Sequence, residues 1–282
     1  MAPDDTSVSI LGGKGMLGSD LAKICQQQGF KVEILDLPEF DITNPYQLAE
    51  ALKTTKAIIN CAAYTNVDGA ESQIESAYKI NAEAVGRLGA LARKAGAWIM
   101  HISTDFVFDG KLDRPYTETD SPHPINTYGK TKQAGEYLLA QSGCQHCIMR
   151  VEWTYGSAGD NFVTKLIQRA KSGGTLKVVD DQIGSPTATT EVAKTICKLL
   201  PKKPEGIFHF ASAGYVKRYE MAEFIFDKLS MNVNLLPCKT SDYESPASRP
   251  LNSRFDCSKI QSLLDEPIEP WQGPLERFLR QL

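Results

Sequence analysis

The first half of the chain alternates short apolar runs with longer amphipathic segments, and this alternation restricts the possible folds more than any other feature. The apolar runs predict strands over 8–11, 32–35, 57–60, 98–102 and 147–151. The segments between them predict helices over 17–28, 45–52, 71–94 and 127–140. Strands and helices at this spacing predict βαβ units, so we expect an α/β fold with a doubly wound parallel sheet.

A glycine-rich turn joins the first predicted strand to the first predicted helix. Residues 12–18 read Gly-Gly-Lys-Gly-Met-Leu-Gly, which fits G-x-G-x-x-G through Gly13, Gly15 and Gly18. Such a turn lets the backbone approach a pyrophosphate closely, and the helix that follows offers free N–H groups to the anion. Because a strand precedes the turn and a helix follows it, the turn predicts a Rossmann-type dinucleotide site rather than a simple glycine loop.

Asp36 ends the second predicted strand, eighteen residues after Gly18. That distance is close to the roughly 20 residues at which an acidic residue contacts a dinucleotide ribose. A carboxylate there accepts hydrogen bonds from both ribose hydroxyls and repels a 2′-phosphate. Residues 37–40 supply no Lys or Arg for such a phosphate, so Asp36 favours NADH over NADPH. The alternative is that Asp36 is only a turn residue at the end of a strand.

The pattern changes after about residue 152. Loops rich in Gly, Pro, Ser and Asp appear over 156–161, 180–190 and 240–252. We therefore predict a dinucleotide-binding Rossmann domain over residues 1–152. Residues 153–282 are predicted to form a smaller C-terminal substrate-binding lobe that interleaves with the sheet domain.

Charge and composition exclude several classes of partner. The net charge is −3 and the pI is about 5.9. The basic residues are scattered, so we expect no nucleic-acid or anionic-membrane partner. Residues 1–7 are polar and acidic, which predicts no signal peptide. Seven dispersed cysteines favour a reducing, cytoplasmic location, and the C-x-x-C spacing of Cys144 and Cys147 is interpreted as a turn before a strand, not a metal site.

Tyr128 and Lys132 are four residues apart and therefore share one face of the predicted helix over 127–140. A free phenol has a pKa of about 10, and a nearby cation favours the phenolate. Ser103 and Thr104 end the fourth predicted strand, where ligands bind in doubly wound sheets. Each feature has an ordinary structural explanation when taken alone. Together they predict a hydroxyl, a phenol and an ammonium that converge beside a nicotinamide.

At this point the chain resembles the extended short-chain dehydrogenase/reductase family and, within it, the dTDP-4-dehydrorhamnose reductases. The strings S-T-D-x-V-F-D-G and D-Q-x-G-x-P-T are specific to that subgroup, whereas the glycine turn is not. The segments that carry the resemblance are 12–18, 60–68, 103–110, 128–136, 150, 153, 155–156, 161–162, 181–187 and 249–253.

The resemblance implies a role for each residue near the cofactor. Thr104 would polarise the C4 keto oxygen of a sugar, Tyr128 would donate the proton, and Lys132 would lower the pKa of Tyr128 and hold the nicotinamide ribose. The resemblance allows NADPH as well as NADH. The implied cofactor-binding residues are Gly12, Gly15, Met16, Leu17, Gly18, Asp36, Asp41, Ile42, Ala62, Ala63, Tyr64, Tyr128 and Lys132.

The resemblance also implies a nucleotide-sugar substrate, with dTDP-4-dehydro-L-rhamnose reduced to dTDP-L-rhamnose, and a possible homodimer. Arg249 suits a diphosphate because its planar fork pairs with phosphate oxygens, but a surface arginine before a proline is an equal alternative. For Trp153 and Phe106, the alternative to a substrate-binding role is packing in the hydrophobic core. Glu152 replaces the small polar residue usual in the family, and it either alters substrate choice or points to solvent. The implied substrate-binding residues are Thr104, Asp105, Phe106, Trp153, Asn161, Gln182 and Arg249.

Two other functions remain open. One is a reductase or an epimerase that acts on another nucleotide sugar. The other is a non-catalytic regulatory subunit, because the β subunit of methionine adenosyltransferase resembles this same family. Intact Thr104, Tyr128 and Lys132 favour an enzyme.

Overall fold

The computed structural model describes residues 7–282. The acidic stretch in which we predict no signal peptide therefore lies outside the described residues, except for Ser7.

The strands are β1 Ser7–Leu11, β2 Lys31–Leu35, β3 Ala57–Asn60, β4 Trp98–Thr104, β5 His146–Val151, β6 Thr154–Tyr155, β7 Thr175–Val179, β8 Ile183–Gly184, β9 Thr187–Ala188, β10 Gly206–Phe210, β11 Val216–Lys217 and β12 Asn234–Cys238. The α-helices are α1 Met16–Gln27, α2 Pro45–Thr54, α3 Val67–Ala70, α4 Ile74–Tyr78, α5 Ala84–Ala95, α6 Thr127–Gln141, α7 Phe162–Lys171, α8 Thr189–Leu199, α9 Arg218–Lys228, α10 Ser258–Gln261 and α11 Gln272–Leu279.

Six of the described strands form one parallel sheet in the order β10-β5-β4-β3-β1-β2. The order reverses between β1 and β3, which places a crevice at the carboxyl ends of these strands. The predicted α/β, doubly wound fold is therefore confirmed. No helix within residues 7–282 combines the length and the apolar character that crossing a bilayer requires.

The central strands are buried on both faces of the sheet. Ile10 packs into a core with α1 and α8, whereas the next residue, Leu11, packs into a second core with α2 and α5. Neighbouring residues of a strand point to opposite faces. This explains why residues 57–59 of β3 are an unbroken apolar run rather than an alternating one.

The C-terminal half contributes to the main sheet and also forms a core of its own. Strand β10 pairs with β5 at one end of the sheet, and α8 packs against α1. A separate cluster joins α7, α9 and α11, with Val163, Ile225 and Leu275 fully buried. The division of the chain at residue 152 stays a prediction.

The helix predicted over 71–94 differs from the observed structure. The helical segment begins at Ile74, and a π-helical turn over Lys79–Glu83 joins α4 to α5. The buried Asn81 lies in this turn. Its side chain accepts a hydrogen bond from Tyr64 N (2.8 Å) and donates to Tyr64 O (3.1 Å) and Thr131 Oγ1 (3.0 Å). The π-turn therefore links the loop after β3 to α6, and such turns are frequent near functional sites.

Candidate active site

A cavity of about 640 Å³ opens at the carboxyl ends of the central strands. It brings together nearly all the residues predicted to bind the cofactor and to react. These are Gly12, Gly15, Met16, Leu17, Gly18, Asp36, Asp41, Ile42, Ala62, Ala63, Thr104, Tyr128 and Lys132. Tyr64 is not among the described residues that line it, because Asn81 holds its backbone and its hydroxyl lies beside Gly69.

The glycine turn has the geometry that a pyrophosphate site needs. Gly12 has a φ of 72°, and a Cβ there would lie 2.6 Å from Ala62 N. A Cβ on Gly18 would collide with the carbonyl oxygen of Gly12. Gly15 precedes α1, whose first turn has neither a side-chain cap nor an acidic residue. The amino end of α1 therefore presents uncapped N–H groups at the cavity, which fits a bound dinucleotide.

Asp36 and Lys14 meet at one end of this cavity. The Asp36 carboxylate accepts hydrogen bonds from Lys14 N (2.7 Å) and Leu37 N (2.8 Å). The Lys14 ammonium donates to Leu37 O (3.0 Å) and Glu39 Oε2 (2.6 Å), and the pKa of Glu39 is lowered by this contact. Residues 37–40 contain no cation, but the fold brings the Lys14 ammonium there from the glycine turn.

The reacting groups lie at the other end, on β4 and α6. Thr104 is the last residue of β4, and its hydroxyl donates to Asp105 Oδ1 (3.0 Å). Asn126 caps α6 by accepting a hydrogen bond from Gly129 N (2.7 Å). Tyr128 in the first turn of α6 packs edge-on against Phe106, with ring centroids 5.6 Å apart. Nearby, the hydroxyl of Ser103 is buried without a hydrogen-bond partner.

Lys132 is buried in a polar network that the motifs do not reveal. Its ammonium donates to Ile102 O (2.7 Å) and lies 3.2 Å from His101 Nε2. His101 Nδ1 in turn lies 3.0 Å from Asn60 Nδ2. Burial lowers the pKa of Lys132 to about 8 and the pKa of His101 well below its usual value. His101 interrupts the apolar run over 98–102, and Asn60 ends the apolar β3. These positions are the sequence signal that could have indicated both residues.

The pKa of Tyr128 is raised, which corrects the expectation that Lys132 lowers it. Burial is the main cause and the nearby Asp105 carboxylate adds to it, whereas the Thr104 hydroxyl acts in the opposite direction. The Lys132 ammonium bonds to Ile102 and His101 instead. The phenol is therefore protonated at neutral pH, which is the state a proton donor needs.

Helix α6 approaches its neighbours closely at two glycines. A Cβ on Gly129 would collide with Phe106 O, and a Cβ on Gly135 would collide with Asn81 O. These contacts fix the height of Tyr128 and Lys132 above the sheet.

Gly135→Ala is expected to lower the free energy of unfolding by about 1–3 kcal/mol, because the added methyl group overpacks the contact between α6 and the π-turn. Urea denaturation measures this loss. Lys130→Ala, at an exposed position of the same helix, is the control and is expected to change stability by less than about 0.5 kcal/mol. If the two variants were equally stable, the close approach of Gly135 to the carbonyl oxygen of Asn81 would be contradicted.

A second cavity of about 610 Å³ is lined by Asp105 and Phe106 and by residues from Trp153 to Ser253. It shares Asp105, Phe106, Trp153 and Arg218 with the first cavity. We call these four residues the waist. Gln182 and Arg249 line the second cavity. Their role in substrate binding stays a prediction. Asn161 lines neither cavity; it caps α7, accepting from Thr164 N (3.1 Å) and donating to Gly156 O (2.9 Å).

Arg249 already has a partner within the protein. Its guanidinium donates to both carboxylate oxygens of Asp68, at 2.8 and 2.7 Å. This contact lowers the pKa of Asp68 to about 2. The donors that the sequence assigned to a diphosphate are thus used to hold the loop before Pro250 against α3, and the diphosphate role of Arg249 stays a prediction.

The side chains of Trp153 and Glu152 both pack closely against Gly184. Trp153 is half-buried with a φ of 44°, a left-handed conformation that costs a bulky residue roughly 1–3 kcal/mol. A Cβ on Gly184 would lie 2.7 Å from its indole and 2.6 Å from Glu152 Oε2. The Glu152 carboxylate is buried rather than solvent-facing, and it accepts hydrogen bonds from Ser185 N (2.8 Å) and Phe255 N (3.3 Å). Burial and Asp105 raise its pKa well above the usual range.

A doubly wound parallel sheet, a glycine turn before α1 and a Thr–Tyr–Lys group at the carboxyl edge define an extended short-chain dehydrogenase/reductase. Comparison with known families narrows this class. The profile of the family described as RmlD substrate binding domain matches residues 6–282, and the chain belongs to that family.

Similar proteins are known from several bacteria. A dTDP-4-dehydrorhamnose reductase of Aggregatibacter actinomycetemcomitans is 39% identical over 284 residues, covering 95% of this chain and 97% of that protein. The crystal structure of a dTDP-4-dehydrorhamnose reductase from Clostridium acetobutylicum superposes with a TM-score of 0.93 at 36% identity, covering 98% of this chain and 99% of the other. The Bacillus anthracis enzyme of the same name, in complex with NADP, gives 0.94 at 34% identity, covering 99% and 100%.

Proposed function

We propose that this chain reduces the C4 keto group of dTDP-4-dehydro-L-rhamnose, with NADPH or NADH as the reductant. The observation that carries the proposal is that Thr104 and Tyr128 line the first cavity beside the waist, where it meets the second cavity. One cavity begins at a dinucleotide-binding turn, and the other has room for a nucleotide. Relatives that share the whole chain are named for this reaction.

The residues at the carboxyl edge of the sheet are suited to ketone reduction. The nicotinamide supplies a hydride to C4 of the sugar when it is bound. The Thr104 hydroxyl and the Tyr128 phenol donate hydrogen bonds to the keto oxygen, where negative charge develops, and such donors stabilise the transition state. Tyr128 then gives its proton to that oxygen. Lys132, on the same face of α6, would hold the ribose of the nicotinamide through its ammonium group.

We further propose that Asp36 and Lys14 set the choice of cofactor between them. Asp36 is placed to accept hydrogen bonds from the ribose hydroxyls, which favours NADH. Lys14 is half-exposed at the same end of the cavity and can turn from Glu39 to a 2′-phosphate, which favours NADPH. A charged hydrogen bond of this kind contributes about 1.5–3 kcal/mol.

Lys14→Met is expected to lower kcat/KM for NADPH about tenfold or more, while kcat/KM for NADH changes little. Asp36→Asn is expected to shift the preference the other way, toward NADPH. Steady-state kinetics with each cofactor measure both effects. Lys23→Met, an exposed position on α1, is the control for general loss of charge. A Lys14 variant that weakens both cofactors equally would contradict this division of roles.

The function is tested by mixing purified protein with dTDP-4-dehydro-L-rhamnose and each reduced cofactor, and following the loss of nicotinamide absorbance. Oxidation is expected with at least one cofactor, and dTDP-L-rhamnose should be the product. Conversion of a nucleotide sugar without net oxidation would indicate an epimerase instead. Absence of any turnover with either cofactor would contradict the proposal and favour a regulatory role.

A further inference from the structure

The guanidinium of Arg218, a waist residue, contacts two aromatic rings. Its guanidinium carbon lies 3.5 Å from the ring centroid of Trp153 and 4.5 Å from that of Phe162. Cation–π contacts of this kind hold a guanidinium without using its N–H groups as hydrogen-bond donors. Trp153 adopts its left-handed backbone conformation at this contact. The waist therefore presents a guanidinium in a fixed orientation.

The donors of this guanidinium are not used within residues 7–282, where Arg218 forms neither a side-chain hydrogen bond nor an ion pair. The two neighbouring carboxylates are bonded elsewhere. Asp105 accepts from the hydroxyls of Thr104 (3.0 Å) and Ser253 (2.5 Å), and Glu152 accepts from backbone N–H groups. These carboxylates attract Arg218 electrostatically without occupying its donors. Burial lowers the pKa of Arg218 to about 9, so the guanidinium stays charged at neutral pH.

The order of groups in a nucleotide sugar matches the order of the cavities. The sugar must reach Thr104 and Tyr128 in the first cavity, and the nucleoside must then extend into the second. The diphosphate that joins them has to cross the waist. Of the described residues that line the second cavity, Arg218 and Arg249 carry positive charge, and Arg249 is paired with Asp68. Arg218 is thus the cation with available donors where two phosphate charges would lie.

We propose that Arg218 is the residue that binds the diphosphate of the nucleotide-sugar substrate, by donating N–H groups to the phosphate oxygens while it stays in contact with Trp153 and Phe162. This inference rests on the proposed function and extends it to a residue that no motif indicates. Under this proposal Arg218, and not Arg249, is the main contact of the diphosphate, because the guanidinium of Arg249 is bonded to Asp68. Arginine suits this task because its fork matches phosphate oxygens.

The proposal is tested by measuring the binding of dTDP and of thymidine to the full chain by calorimetry. Arg218→Met is expected to weaken dTDP binding by about tenfold to a hundredfold, because charged hydrogen bonds to phosphate are lost. Thymidine, which lacks phosphates, should bind the variant and the parent protein equally. Arg218→Lys, which keeps the charge but not the fork, should lose an intermediate factor and serves as the second variant if the methionine substitution hinders folding.

Lys217→Met is the matched control, because it removes one positive charge from the neighbouring exposed position. It should leave dTDP binding within about twofold of the parent protein, since exposed charges are screened by salt. The proposal would be overturned if Lys217→Met weakened dTDP binding as much as Arg218→Met does. It would also be overturned if both Arg218 variants bound dTDP as tightly as the parent protein. If the Arg218 variants bound dTDP normally but the parent protein still reduced the keto sugar, the proposed function would stand and only the role of Arg218 would be wrong. A parent protein that binds no dTDP would overturn both.

Discussion

Tyr128→Phe is expected to lower kcat for the keto sugar by about 10²–10⁴-fold, the usual contribution of a positioned general acid. The substitution removes only the hydroxyl, and the edge-on contact of the ring with Phe106 is retained. The dissociation constant of the nicotinamide cofactor should therefore change little. Single-turnover kinetics and a cofactor titration on the same preparation measure the two quantities separately.

The control for this prediction is Tyr137→Phe, because Tyr137 is 62% exposed on the same helix. Its loss of a hydroxyl should leave kcat unchanged. If the Tyr128 variant kept most of the parent activity, the proton would come from another group, and the assignment of Tyr128 as the donor would be wrong.

Arg150→Met is expected to cost about 3–5 kcal/mol of the free energy of unfolding, because it leaves the Glu136 carboxylate buried without a counter-charge. Arg150 and Glu136 are 1% and 6% exposed and form a two-point pair, with Nε–Oε1 at 2.9 Å and Nη2–Oε2 at 2.6 Å. Arg150 Nη1 also lies 3.3 Å from His209 Nε2. This pair attaches α6, which carries Tyr128 and Lys132, to β5 and β10.

Urea denaturation measures the loss, and Arg114→Met provides the contrast. Arg114 also pairs with a carboxylate at two points, on Asp120, but its side chain is 51% exposed. Exposed pairs contribute about 0–1 kcal/mol. The double variant that combines Arg150→Met with Glu136→Met should be more stable than Arg150→Met alone, because neither member of the pair is then left buried without the other. Equal losses for Arg150→Met and Arg114→Met would contradict the importance of burial.

The sheet and the cofactor end of the site could be predicted because their determinants are local in sequence. A glycine turn between a strand and a helix, and an acid at the end of the next strand, each follow from a few consecutive residues. Tyr128 and Lys132 share a helix face for the same reason. These features needed no knowledge of what packs against them.

The rest of the site depends on contacts between distant segments. The side chain of Lys14 pairs with Glu39, and that of Arg249 pairs with Asp68. Both partners are distant in the sequence. Arg218 is placed at the waist by Trp153 and Phe162, and its surroundings in the sequence contain no motif. The pKa of Tyr128 follows from burial and from Asp105, which a spacing of four residues cannot indicate. The π-turn forms around Asn81 and its contact with Thr131, whereas helical periodicity predicts only a continuous helix.

The most direct test of hydride transfer uses a reduced nicotinamide cofactor with deuterium at both positions of C4, incubated with dTDP-4-dehydro-L-rhamnose and the purified protein. Direct hydride transfer beside Thr104 and Tyr128 predicts dTDP-L-rhamnose with deuterium at C4 of the sugar, formed in equal amount to the oxidised cofactor. A product without deuterium at that carbon, or a sugar left unreduced with both NADH and NADPH, would contradict the account.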